Sequence, residues 1–346
     1  MGDATCWSSY DDRRAMNAVA PPKVVWSLDF ELRWGMHDRL GLDRDLYRQN
    51  LEGAREAVPQ LLQLFTRRGV RATWATVGAL ACRNWDEYYR RAPTPPRYAD
   101  MRLAVSPRYA DLDPEGVLHF APDLVSLVAK TEGQDLGTHT FSHLFLGELG
   151  VMLVDAAADH AATLALFRER LGITPTSLVF PRNQVAFLAF YRAQGIKVWR
   201  DNESPWYYQL TRHTNHPVVR SLRMMDALTP WRARGGALSA GCSPSTLFVR
   251  VYLPEAAWKL HLARIVFESR HIKRGGVLHF WLHPHNLGAD APHGIRRLEQ
   301  VLDAIDRHAP PGTIYVSMRD LAASFYQDSL QFQQMAAAPR AGSRER

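Results

Sequence analysis

Val24-Val25-Trp26-Ser27-Leu28-Asp29-Phe30-Glu31 is an apolar stretch that ends in two carboxylates. A short run of this kind suits a strand buried on both faces of a parallel sheet. Similar runs recur at 70–77, 135–138, 177–180, 196–199, 277–282 and 313–317. Helical patterns separate them, at 46–68, 124–131, 151–171, 185–194, 255–274, 295–308 and 319–326. Gly69, Gly172, Gly195 and Gly275 stand where helix C-caps are expected. Strands alternating with helices in this way predict an α/β fold, a parallel sheet most naturally closed into a barrel. On such barrels functional residues gather at the C-terminal strand ends. Asp29, His139, Arg182, Asp201 and His283 all fall just past the runs.

The third run leads into Asp135-Leu136-Gly137-Thr138-His139-Thr140-Phe141-Ser142-His143. An extended chain would hold the two imidazoles about 13 Å apart, too far for one ion with bonds of about 2.1 Å. A shared metal therefore requires a helical turn, which places residues i and i+4 about 6 Å apart on one face. Asp29 and Glu31, at i and i+2 of a strand, also share a face. Their aromatic and apolar neighbours predict partial burial and a need for partners.

Ser27-Leu28-Asp29-Phe30-Glu31, His139-Thr140-Phe141-Ser142-His143 and the late Trp281-Leu282-His283-Pro284 together resemble the motifs of the polysaccharide deacetylase (NodB-homology, carbohydrate esterase family 4-like) family. The resemblance spans about residues 23–325 and implies a distorted seven-stranded barrel. It implies Asp29 as catalytic base, with Glu31, His139 and His143 as ligands of a divalent metal, Zn2+ foremost and Co2+, Mn2+ or Ni2+ as alternatives. His283 would be the general acid. Alternation alone puts His279, His283 and His285 on one face and does not choose among them. The commoner Asp-Asp pair is here Asp29-Phe30-Glu31, an Asp-x-acid version. The family's base-orienting Arg-Pro-Pro-Tyr is replaced by Phe180-Pro181-Arg182-Asn183-Gln184, in which Arg182 is the best match. The family's Asp near a Trp, which lines the acyl pocket, has a loose counterpart in Asp201-Asn202-Glu203-Ser204-Pro205-Trp206. Asp201 and Trp206 are carried as substrate-binding candidates, with Glu203 the alternative to Asp201.

The resemblance implies a metal-dependent amide hydrolase that removes an acyl group, acetyl above all, from an N-acylated amino sugar. A deformylase and a cyclic imide or ureide hydrolase on the same scaffold are the nearest rivals, and an inactive glycan-binding protein is the rival of another class. The 346 residues are 46% hydrophobic and 22% charged, with a net charge of +7 carried mostly by Arg. That balance predicts one elaborated domain and an anionic partner, such as a diphosphate-linked sugar. The Arg residues are interspersed with acids and form no stripe, so nucleic acid is not expected.

Cys6, Cys82 and Cys242 lie far apart without a Cys-x-x-Cys, which argues against a disulfide framework and for a reducing compartment. With no continuous apolar leader near the start and no apolar stretch of membrane-spanning length, the expected location is cytoplasmic. Residues 1–22 read as a poorly ordered arm and 327–346 as a tail. Two long insertions, about 93–122 and 204–247, carry Pro, Tyr, Trp and Arg and are expected to shape the substrate site. His213-Thr214-Asn215-His216 has no carboxylate company and reads as loop. Trp206, Tyr207 and Tyr208 would stack on a sugar ring or fill core.

Overall fold

A computed structural model describes residues 20–36, 48–209, 216–229, 236 and 241–325. Its strands are β1 Lys23–Phe30, β2 Ala72–Thr76, β3 Gln134–Thr138, β4 Ser177–Val179, β5 Val198–Asp201, β6 Cys242–Pro244, β7 Leu247–Phe248, β8 Val277–Leu282 and β9 Ile314–Val316. The helices are α1 Arg48–Arg68, α2 Trp85–Arg91, α3 Tyr109–Leu112, α4 Pro122–Lys130, α5 Leu153–Leu171, α6 Leu188–Ala193, α7 Trp206–Gln209, α8 Pro217–Leu228, α9 Glu255–His271 and α10 Ala291–His308. All the strand pairings are parallel, in the order β6-β5-β4-β3-β2-β1-β8-β7, with β9 beside the start of β1.

The two ends of that order are joined by the chain itself. β6 pairs with β5, the backbone bends through Ser245 and Thr246, and β7 pairs with β8. One kinked stave, 242–248, thus closes a distorted barrel of seven positions. This corrects the predicted strand set in two places. The run at 313–317 is the accessory β9, and the seventh stave lies inside what was read as the second insertion. Cys242-Ser243-Pro244-Ser245-Thr246 is short, polar and interrupted by Pro, so it lacks the apolar signature of a buried strand. Thr246 N instead donates to His279 O and Ser243 Oγ meets His279 Nδ1 at 2.9 Å, tying the kink to β8.

The core is the apolar face of the sheet against the helices, with Trp26, Leu28, Phe30, Trp74, Leu278 and Phe280 fully buried. Burying aromatic side chains of this size contributes most of the packing energy of such a layer. α1 lies against the 3-10 turn Pro284–Asp290 that follows β8. Gly53 and Gly288 face each other there, and a β-carbon on Gly53 would strike the Gly288 carbonyl. Asn50 Nδ2 also donates to His285 O, 3.1 Å. Together these contacts fix the chain on which His283 and His285 ride.

The expected arm does not reach residue 22, because Gly275 N donates to Ala20 O and Ile314 N to Pro22 O. The remainder of the arm, the 327–346 tail, Trp231 and His213-Thr214-Asn215 lie outside the described residues. Cys82 is a free buried thiol, and Cys6 lies outside the described residues. Among the described residues no helix is long and apolar enough to cross a membrane.

Candidate active site

β1 delivers Asp29 on its last turn of pleat and Glu31 just beyond its end, both nearly fully buried. β3 delivers His139, and an irregular bend returns the chain so that His143 lies beside it, ring centroids 5.0 Å apart. The expected helical turn is not what brings them together. Thr140 (φ 64°) and His143 (φ 57°) are left-handed, and the backbone folds back between them. Glu31 Oε2 lies 3.2 Å from His139 Nε2 and 3.1 Å from His143 Nε2, and one donor atom from each of the three fits within 4.8 Å.

This trio passes a chemical test for a metal. His139 Nδ1 donates to Val179 O at 2.7 Å, so in the neutral ring Nε2 carries a lone pair. That lone pair faces a carboxylate oxygen, an arrangement that a metal ion shared by the two atoms would satisfy. A carbonyl accepting from Nδ1 is the usual device for orienting a metal-binding imidazole. Two His and one carboxylate also form a donor set suited to Zn2+ with open positions. Burial alone would raise the Glu31 carboxyl, but His283, His139 and His143 hold it well below the usual carboxylate range. Gly35, in the 3-10 turn Leu32–Met36, leaves room for this carboxylate, since a β-carbon there would overlap it.

His283 lies at the mouth, with Nε2 3.3 Å from Glu31 Oε1 and 3.8 Å from Asp29 Oδ2. Phe248 and Trp281 flank its ring. The strand ends at Leu282, so the alternation that left three histidines equivalent stops there. His279 turns into the barrel between Ser27 Oγ, 2.8 Å, and Ser243 Oγ, and burial pushes its pKa down to about 3. His285 is buried beside His283, its pKa also pushed down to about 3 by burial and then by His283.

The guanidinium on Asp29 belongs to Arg200 of β5, and Arg182 does not contact Asp29. Arg200 Nη1 donates to Asp29 Oδ1 and Nη2 to Asp29 Oδ2, both at 2.7 Å, in a bidentate fork. Its remaining donors reach Ser27 Oγ and Asn183 Oδ1, and its plane stacks on Trp281 at 4.2 Å. Burial opposes ionisation of Asp29, but Arg200, then His139 and His283, hold its carboxyl below the usual range. Arg182 adopts φ 54° after Pro181, which swings its side chain onto the Phe145 ring at 4.2 Å. It still feels Glu31, while burial pushes its pKa down to about 10. A sequence signal for Arg200 did exist. An arginine inside an apolar parallel strand must find a buried acid, and Asp29 is the acid on the neighbouring motif.

Asp201 ends β5. Its carboxylate accepts from Asn202 N at 2.7 Å and burial raises its pKa. Glu203 accepts from Trp281 Nε1 at 3.4 Å, so of the two acids it is the one linked to the aromatic wall of His283. Trp206 begins α7, is exposed and meets Tyr207 edge-on. Tyr208 is buried and donates to Asp226. The 93–122 insertion is tied to the chain around the site. Tyr98 OH accepts from Phe145 N, and Trp34 Nε1 donates to His119 O.

No family model and no curated protein matches the chain. Solved structures do. A candidate polysaccharide deacetylase from Mycobacterium smegmatis superimposes with a TM-score of 0.52 at 14% identity, over 98% of this chain and 97% of that one. Puue allantoinase superimposes with a TM-score of 0.52 at 12% identity, over 93% of each chain. At these identities the likeness establishes a shared fold, the distorted (β/α) barrel, over the whole length.

Proposed function

We propose that the protein is a metal-dependent amide hydrolase acting on an N-acylated amino sugar, with acetyl as the favoured acyl group. The observation that carries this reading is the convergence of Glu31 Oε2 with two imidazole Nε2 atoms beside an arginine-clamped Asp29. Glu31, His139 and His143 would hold the ion. A divalent metal bound there, Zn2+ first among the candidates, supplies Lewis acidity toward a carbonyl and acidifies water.

The other groups divide the proton work. Asp29, kept ionised and oriented by Arg200, accepts the proton of the attacking water on the lone pair that each fork-bound oxygen retains. His283 Nε2, at the mouth and close to both carboxylates, donates the proton to the departing amine. Arg200 acts through Asp29 and is a positioning residue. Phe248 and Trp281 restrict the His283 ring and keep water from its sides. The net +7 charge and the arginines of the insertions support a substrate with an anionic carrier, such as a diphosphate.

Opening of a cyclic amide or ureide is the second reading, favoured by the equal fold likeness to an allantoinase. The base, acid and ligand set would serve either bond. Metal-loaded protein incubated with free, nucleotide-linked and lipid-linked N-acetyl sugars and with a cyclic ureide separates the two. Release of acetate with a new amine supports the first reading, and ring opening alone replaces it with the second.

A further inference from the structure

The bend that brings His139 and His143 together is not held by regular secondary structure. Two of its residues, Thr140 and His143, are left-handed, a conformation that persists in such residues only when the surroundings over-determine it. Part of that constraint is local. Thr140 Oγ1 accepts from Leu144 N at 2.8 Å, and Thr138 Oγ1 from Thr140 N. The rest comes from α5. Asp159, 1% exposed, accepts from Phe141 N at 2.6 Å through Oδ1, and from Ser142 N at 3.3 Å and Ser142 Oγ at 3.2 Å through Oδ2. Both carboxylate oxygens are thus spent on the two residues midway between the ligands.

A buried carboxylate without a cation is costly, and among the described residues no Lys, Arg or His pairs with Asp159. Burial accordingly pushes its pKa up to about 6. For packing alone an apolar side chain would serve α5 better. What the carboxylate adds is direction, because three hydrogen bonds converge on one bend.

We propose that Asp159 is a positioning residue of the metal centre, fixing the bend that turns both imidazole Nε2 atoms toward Glu31 and thereby setting metal affinity without touching the ion. The proposal rests on the reading of Glu31, His139 and His143 as ligands. Asp159 touches neither histidine, so its effect is transmitted through the Phe141 and Ser142 amides. An Asn at this position can still accept from Phe141 N, but its amide group would oppose Ser142 N.

The test is Zn2+ titration of metal-stripped, full-length protein, with the dissociation constant and the melting temperature measured on the same samples. Asp159→Asn is expected to weaken Zn2+ binding by about ten- to a hundredfold without lowering the apo-protein melting temperature, because a buried charge has been removed. Asp155→Asn is the control. Asp155 caps α5 by accepting from Met152 N and makes no hydrogen bond to residues 139–143 among those described, so its loss should lower the melting temperature and leave Zn2+ affinity unchanged. His139→Ala should abolish binding. Wild-type affinity in Asp159→Asn, or affinity losses that track melting temperature in both Asp variants, would overturn the positioning role while the ligand reading stands. A wild type that binds no ion, or binds one that survives His139→Ala, would overturn the ligand reading and the proposal together. If Asp159→Asn does not fold, Ser142→Ala removes one of the three hydrogen bonds and should weaken Zn2+ binding severalfold at unchanged melting temperature; unchanged affinity there counts against the role.

Discussion

Gly35→Ala probes the metal centre with a single methyl group. Gly35 sits in the 3-10 turn after β1, and Glu31 folds its carboxylate across the Gly35 Cα. An alanine β-carbon would lie 2.5 Å from Glu31 Oε2 and closer still to Oε1 and Cδ. To reach an ordinary separation of about 3.5 Å the carboxylate must recede by roughly 1–1.5 Å, whereas metal–ligand distances hold to within about 0.2 Å. Glu31 is then lost as a ligand. The φ of Gly35 is not left-handed, so alanine is tolerated by the backbone and favours the turn by about 0.5–1 kcal/mol. The expected phenotype is a folded protein whose Zn2+ affinity falls about a hundredfold or more, about 2.8 kcal/mol. Calorimetric titration of stripped protein, with circular dichroism to verify folding, measures both. Unchanged affinity in a folded Gly35→Ala protein would show that Glu31 does not ligate from this rotamer, and the three-ligand account would fall.

Arg200→Met leaves Asp29 as an uncompensated buried carboxylate, a loss of about 3–5 kcal/mol in stability. In the wild type the lowered Asp29 pKa gives stability present at neutral pH and lost as pH falls through it. In the variant burial dominates and the sign reverses, so stability should fall as pH rises; urea melts at several pH values check this. His283→Ala should lower turnover about a hundredfold or more with metal retained, whereas His279→Ala, which removes the strut between Ser27 and Ser243, should act mainly on melting temperature. The raised Asp159 pKa, about 6, costs stability that appears as pH rises above the unfolded value and is complete above the folded one. Apo wild type should therefore lose roughly 2–2.5 kcal/mol relative to Asp159→Asn between pH 4 and pH 7, and parallel stability curves would contradict it. A diphosphate-linked N-acetyl sugar should outperform the free sugar, with an advantage that shrinks as salt is raised; salt-independent competition kinetics would count against the anionic carrier.

The parallel barrel was legible because β1 and β8 are largely apolar runs, buried throughout or nearly so, and because Gly172 caps α5 as expected, whereas α9 has its C-cap at Ile272, three residues before Gly275. The 242–248 stave was not, since its role is set by covalent continuity between two sheet edges and not by its own hydrophobicity. Glu31, His139, His143, Asp29 and His283 come together as the motifs suggested, yet the geometry joining the two histidines was misjudged. Sequence spacing offers a helical turn as the only regular solution, and the actual bend depends on Asp159, sixteen positions beyond His143 and on another element. Arg182 and Arg200 exchanged parts for a similar reason. Arg182 occupies the expected position in the chain, but its left-handed φ sends it to Phe145, and the strand position of Arg200 faces Asp29 across the barrel.

The central claim is that this barrel hydrolyses an N-acyl amide using Asp29 as base at a metal held by Glu31, His139 and His143. Quantifying acetate and free amine by mass spectrometry, with Zn2+-loaded wild type and Asp29→Asn on the same N-acetyl amino sugar panel, tests it most directly. Stoichiometric acetate and amine from wild type, and metal content retained with turnover lost in Asp29→Asn, are the predicted results. Equal turnover by Asp29→Asn, or no acetate from any sugar by metal-loaded wild type, would contradict the claim.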